Sequence, residues 1–241
     1  MDGQHNLQQH PLVFIHGSGD SARIWRLQVD HFGPQHAFGL DLPGHGQRPD
    51  TLPAEVTIQD YAHAAYDSIR REMHLHKPII VGHSLGGAVA LTMALDYESE
   101  LGGIILIGTG ARLRVLPSLL ANAKQTPEYA RQQLVELAMD STTLPSTTQE
   151  VVQEQVTLGP TILHRDLAAC DTFDILKRLY EIHLPTLIIC GEDDHLTPVK
   201  YSEYLHKNIQ SSTLRIIPHA GHYVLREQPE AVNQAIEEWL Q

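Results

Sequence analysis

The sequence predicts an α/β fold, a mostly parallel sheet of about six strands with helices on both faces and an inserted helical cap. Three observations carry the prediction. Six short apolar runs, each stopped by glycine or proline, recur along the 241 residues. Helical patterns separate them, which implies right-handed strand–helix–strand crossovers. One long segment, residues 116–181, holds several helical patterns and no strand.

The runs come in this order. Leu12–Ile15 ends at Gly17, His36–Leu40 at Pro43-Gly44, and Pro78–Val81 at Gly82. Gly103–Ile107 ends at Gly108, Leu184–Cys190 at Gly191, and Thr213–Ile217 at Pro218. Continuous apolar runs of this length read as strands buried on both faces. Between them, Thr57–Met73 places Ile58, Tyr61, Ala62, Ala65 and Ile69 on one helical stripe, with Thr57 and Asp60 spaced as a capping pair. Ser84–Tyr97 is poor in polar residues, as a helix packed under a sheet should be. Pro229 opens a final helix with Val232, Ile236 and Trp239 facing inward.

Residues 116–181 break this rhythm. Thr126-Pro127 starts a helix carrying Leu134, Leu137 and Ala138. Ser146–Leu158 predicts another, with Thr147 and Glu150 spaced as a capping box and Gly159 as a stop. A helical insertion between two sheet strands is expected to form a cap over one edge of the sheet. The whole chain, 1–241, then reads as one domain.

Composition narrows the function. Hydrophobic residues make up 42% of the chain, enough for a packed core. Seventeen basic residues against 29 acidic ones give a net charge of −12, a poor match for nucleic acid. No apolar run approaches the length needed to cross a bilayer. Cys170 and Cys190 make no disulfide framework, and MDGQHNLQQH lacks the features of a secretory leader. A cytoplasmic location is therefore expected. Sixteen histidines raise the question of a metal.

The chemistry centres on Gly82-His83-Ser84-Leu85-Gly86, a G-x-S-x-G motif between a buried strand and an apolar helix. A tight strand-to-helix turn would strain the Ser84 backbone and push its Oγ outward. Side chains at positions 82 and 86 would clash with neighbouring chain, so both are glycine. With these residues in place, the chain resembles the α/β-hydrolase fold family over nearly its whole length, from His16-Gly17 to the last helix. That resemblance implies a serine nucleophile at Ser84.

It also implies the partners of that serine. The backbone N–H of Leu85 and that of Ser18, in the His16-Gly17-Ser18 loop, would form an oxyanion hole; losing one such donor costs about 2.7–4 kcal/mol. Asp41-Leu-Pro-Gly-His-Gly46 resembles another family landmark. Gln47-Arg48 follow it where the family has serine, and Asp41 reads as a turn former. The loop Gly108–Leu113 holds no carboxylate. In Gly191–Pro198 the family pattern Gly-x-x-Asp-x-x-Thr-Pro selects Asp194 as the acid, with Asp193 as runner-up. The Gly-His pattern, followed by Glu227 and Pro229, selects His222 over His219 as the base. An imidazole with its ordinary pKa of about 6.5 suits this work near neutral pH.

No His-x-x-x-His or Cys-x-x-Cys spacing accompanies the remaining histidines. His16, His45, His83 and His195 read as polar residues of loops around the pocket. Neither metal nor cofactor is expected. The sequence thus predicts a serine hydrolase of small carboxylic esters, with a small-molecule ester or lactone as partner. The same residues also serve lactonases, enol-lactonases, thioesterases, C–C hydrolases and perhydrolases. A ligand-binding receptor on the same fold is the non-enzymatic alternative. About ten residues precede Pro11, too few for the two extra N-terminal strands common in the family. Oligomeric state and acyl preference are left open.

Overall fold

A computed structural model describes residues 7–155 and 161–241. Its centre is a six-stranded sheet in the order β2-β1-β3-β4-β5-β6, every neighbouring pair parallel. The strands are β1 (Leu12–Ile15), β2 (Ala37–Leu40), β3 (Ile79–His83), β4 (Gly103–Ile107), β5 (Thr186–Gly191) and β6 (Ser212–Ile217). All six coincide with apolar runs of the sequence to within two residues. The expectation of burial on both faces holds for β1, β3, β4 and β5. It fails at the two edges. In β2 and β6 several residues are half-buried or exposed, because each pairs on one side only.

Side-chain alternation along the central strands divides the core in two. Val13, Ile15, Ile80, Ile104, Leu106 and Ile188 pack toward α2 (Ile58–Asp67), α3 (Leu85–Asp96) and α8 (Val199–Asn208). Leu12, Phe14, Ile79, Val81, Ile105, Ile107, Leu187 and Ile189 pack toward α1 (Arg26–Phe32), α9 (Val224–Glu227) and α10 (Pro229–Leu240). Helix α3 is buried over its first ten residues, as its lack of polar residues requires. The Thr57/Asp60 pair forms the expected reciprocal capping box on α2.

Between β4 and β5 lie α4 (Pro117–Gln125), α5 (Pro127–Ala138), α6 (Pro145–Gln155) and α7 (Ile162–Thr172). Leu119, Ala123, Ala130, Leu134, Leu163 and Leu167 give these helices a small core of their own. Leu134 and Ala138 are buried as expected, but Leu137 is exposed, since it falls just beyond the edge of the buried stripe of Ala130, Leu134, Val135 and Ala138. Thr147 and Glu150 do not cap: Pro145 opens α6, so both sit inside it. Glu150 instead pairs with Arg26 and Arg226 at 2.5 and 2.9 Å. The expected stop at Gly159 lies outside the described residues. Among the described residues, no helix is long and apolar enough to cross a membrane.

The sheet reverses its winding between β1 and β3. Open α/β sheets bind ligands at that switch point, beyond the strand C-termini. Register places Ile15 beside Gly82, so the loops leaving β1 and β3 emerge together.

Candidate active site

The turn from β3 into α3 is built by backbone crowding. A Cβ on Gly82 would lie 2.1 Å from the Gly86 carbonyl oxygen, and one on Gly86 would lie 2.3 Å from that of Ile15. Only glycine fits either position. Between them Ser84 adopts φ +52°, a conformation that costs a non-glycine residue about 1–3 kcal/mol. The surroundings hold it there. Ser84 N–H donates to the Ile107 carbonyl at 3.0 Å, and Thr109 Oγ1 donates to the Ser84 carbonyl at 2.8 Å. Leu85 is the first residue of α3, so its N–H has no acceptor within the helix.

Asp194 follows β5 and is buried. Its Oδ1 accepts the N–H groups of Leu196 and Thr197 at 2.9 and 2.8 Å. Its Oδ2 accepts the Thr197 hydroxyl at 2.7 Å and His222 Nδ1–H at 2.8 Å. Burial opposes ionisation, but the His222 imidazole and these donors outweigh it and hold the carboxyl well below the usual range. Because Nδ1 faces Asp194, the opposite ring nitrogen, Nε2, is left for the cavity that His222 and Ser84 both line. Asp193 donates its N–H to the Ala220 carbonyl, and Glu192 is exposed; neither is bonded to the imidazole.

The cavity, about 200 Å³, lies over Ser18, Ser84 and His222, under a wall of Leu113, Val115, Leu119, Leu134 and Leu167. Arg114 and His195 also border it. The structure therefore gathers Ser84, Asp194, His222, Ser18 and Leu85 around one end of the sheet. His219 stands apart, exposed in the loop before Gly221, with φ +55°. Asp41 accepts the Ala22 and Gln47 N–H groups at 2.7 and 3.4 Å, a turn-forming arrangement.

The histidines are placed less simply than expected. His83 ends β3 rather than lying in a loop, and its Nε2–H donates to the His222 carbonyl at 3.0 Å. Burial, then the neighbouring His222, lower its pKa to about 3, so it stays neutral. His16 and His45 do not line the cavity but lie buried beside the loops leaving β1 and β2. Sequence reasoning misses three further groups at the site: Asp20, whose carboxylate accepts the Tyr223 hydroxyl, Tyr223 itself, and Asp166 of α7. A signal for Asp166 exists. It stands between Leu163 and Leu167 on the buried stripe of its helix, where a carboxylate needs partners.

The sequence pattern described as the alpha/beta hydrolase family matches residues 12–235. The chain belongs to that family. Among curated proteins it is similar to an (E)-2-((N-methylformamido)methylene)succinate hydrolase of Acinetobacter baylyi, 26% identical over 96% of this chain and 90% of the relative. Among solved structures it is similar to a thermophilic esterase, with 36% identity and a TM-score of 0.85 over 96% of this chain and 90% of that one. The enol-lactonase of Burkholderia xenovorans shares the fold, with a TM-score of 0.87 at 18% identity over 96% and 92% of the two chains. The protein is accordingly an α/β-hydrolase, and relatives of this kind act on small molecules.

Proposed function

We propose that this hydrolase cleaves small carboxylic esters through an acyl-enzyme on Ser84. The observation that carries the reading is the 2.8 Å bond from His222 Nδ1 to buried Asp194, with the strained Ser84 elbow on the same cavity. The 36% identical esterase supports the substrate class.

In this mechanism His222 Nε2 takes the Ser84 hydroxyl proton as Oγ attacks the carbonyl carbon. Asp194 holds the ring in the required tautomer and stabilises the imidazolium. The Ser18 and Leu85 N–H groups receive the developing oxyanion. The alcohol leaves with the proton from His222, and water, activated by the same nitrogen, hydrolyses the acyl-enzyme. Residues 116–181 act as the cap within a single domain of 1–241, and their leucines wall the pocket. At about 200 Å³ the cavity is smaller than the roughly 300–1,000 Å³ of pockets for drug-sized ligands, which favours short acyl or alcohol groups. Two free, buried cysteines fit a reducing compartment, and we place the protein in the cytoplasm.

Rapid mixing with p-nitrophenyl acetate and butyrate tests this reading. A burst of p-nitrophenol equal to the enzyme concentration is expected, and Ser84→Ala should abolish it. Turnover of a lactone panel with none of the esters would overturn the ester assignment.

A further inference from the structure

We infer that Asp166, on the proposed cap, is a positioning residue for the oxyanion loop, so that the cap helps assemble the catalytic machinery as well as walling the pocket. The inference rests on the role proposed above for the Ser18 N–H.

The loop Gly17-Ser18-Gly19 has a glycine on either side of Ser18, and Gly19 takes φ +70°. Such a loop can turn its peptide planes at little steric cost. Turning the Gly17–Ser18 plane would aim the Ser18 N–H away from the substrate, and turning the Ser18–Gly19 plane would displace Ser18 and so move that N–H with it. Both planes flanking Ser18 are pinned. The Gly17 carbonyl, which shares its plane with the Ser18 N–H, accepts His16 Nδ1–H at 2.9 Å and Asp20 N–H at 3.3 Å. The tautomer of His16 is set because its Nε2 accepts the Leu42 N–H at 3.1 Å. On the other side of Ser18, the Gly19 N–H donates to Asp166 Oδ2 at 2.9 Å. The second pin is thus a side chain from α7, 147 residues away in sequence.

Asp166 is itself held in place. It has no solvent exposure and accepts three hydrogen bonds, from Gly19 N–H, His45 Nε2–H at 2.9 Å and the Tyr61 hydroxyl at 2.6 Å. The His45 ring packs against that of His16, centroids 4.5 Å apart, which links the two pins. Next to it Arg165 makes a two-pronged bond to Asp50 at 2.9 and 2.8 Å and donates to the Pro43 carbonyl at 3.0 Å. That bond anchors the same helix without touching Ser18. Anchoring and positioning can therefore be separated by mutation.

The test compares Asp166→Ala, Asp166→Asn and Asp50→Asn. It follows kcat and KM for p-nitrophenyl butyrate, and the affinity of a trifluoromethyl ketone, whose adduct with Ser84 places an oxyanion in the hole. Asp166→Ala should lower kcat about 10- to 100-fold, part of the effect of deleting a donor. KM should stay within about threefold and ketone affinity should fall in step with kcat. In Asp166→Asn the amide oxygen can still accept the Gly19 N–H, so this variant should lose only about three- to tenfold. Asp50→Asn should lower Tm and leave kcat within about twofold. If Asp166→Ala does not fold, Asp166→Asn decides: unchanged ketone affinity overturns the inference. So does a folded Asp166→Ala with wild-type kcat, or one no slower than Asp50→Asn. Failure of the esterase reading would look different, since the wild type itself would then not turn over esters, whatever the Asp166 variants do.

Discussion

The helices of the proposed cap hold the loops of the proposed active site at two points, one beside Ser18 and one beside His222, and the two grips use opposite electrostatics. On the Ser18 side the carboxylate comes from the cap, lies fully buried, and meets an imidazole. Burial works against both charges, but each outweighs it for the other: Asp166 is held below the usual carboxylate range and His45 above the usual imidazole range. On the His222 side the carboxylate comes from the core and is bonded to dipoles, with the like-charged Asp140 nearby. Glu227 accepts Gly221 N–H at 3.0 Å, Asp140 N–H at 2.8 Å and the Thr143 hydroxyl at 2.5 Å. Burial there pushes its carboxyl up, against the pull of those donors. A backbone bond from His222 N–H to the Ala138 carbonyl, at 2.6 Å, completes this second grip. A buried charge holds where a counter-charge is supplied, whereas a dipole-held carboxylate works best where it is partly wet.

Mutations should separate the two grips. The scale is set by Asp194, the proposed acid. Asp194→Asn should lower kcat by about 10⁴-fold, because the amide favours the wrong His222 tautomer. Steady-state ester kinetics measure this. Glu227→Gln keeps the size of the side chain but turns an NH₂ toward one of two backbone donors. An unsatisfied donor costs about 1–3 kcal/mol, which for a domain of this size corresponds to a Tm lower by about 2–12 °C. Scanning calorimetry gives the value, and an unchanged Tm would remove Glu227 from the comparison.

Titration should distinguish the grips further. His45 has its folded pKa raised, so the stability it lends is fully present below about pH 6.5 and is lost as pH rises through that raised value. The Tm of the wild type should therefore fall as pH rises from 6.5, and His45→Gln should flatten that slope. An equal slope in the variant would place the titrating group elsewhere. The smallest effect is expected at Thr197. Its hydroxyl supplies one of four bonds to Asp194, so Thr197→Val should lower kcat only about three- to tenfold, with little change in KM.

The difference between the grips also explains what sequence can reveal. Local chemistry is legible. The apolar runs mark the strands, and the spacing of Gly82, Ser84 and Gly86 foretells two backbone collisions. Asp194 and His222 are picked out through the resemblance of the Gly191 and Gly221 loops to the family pattern. The remainder depends on pairing across long separations. Asp166 meets Gly19 only because α7 folds back over the loop that follows β1, and no periodicity within α7 can name that partner. Leu137 and Glu150 mislead for the same reason. One turns outward on α5, and the other joins Arg26 and Arg226 instead of capping its own helix. The exposed residues of β2 and β6 escape a local reading because edge position is a property of the whole sheet.

Both grips matter only if Ser84 is the nucleophile they serve. Incubation with a fluorophosphonate, followed by intact-mass measurement, tests that most directly. Wild type should gain the mass of one phosphonyl group, and Ser84→Ala should gain none. An adduct of equal yield on Ser84→Ala, or none on folded wild type, would contradict the account.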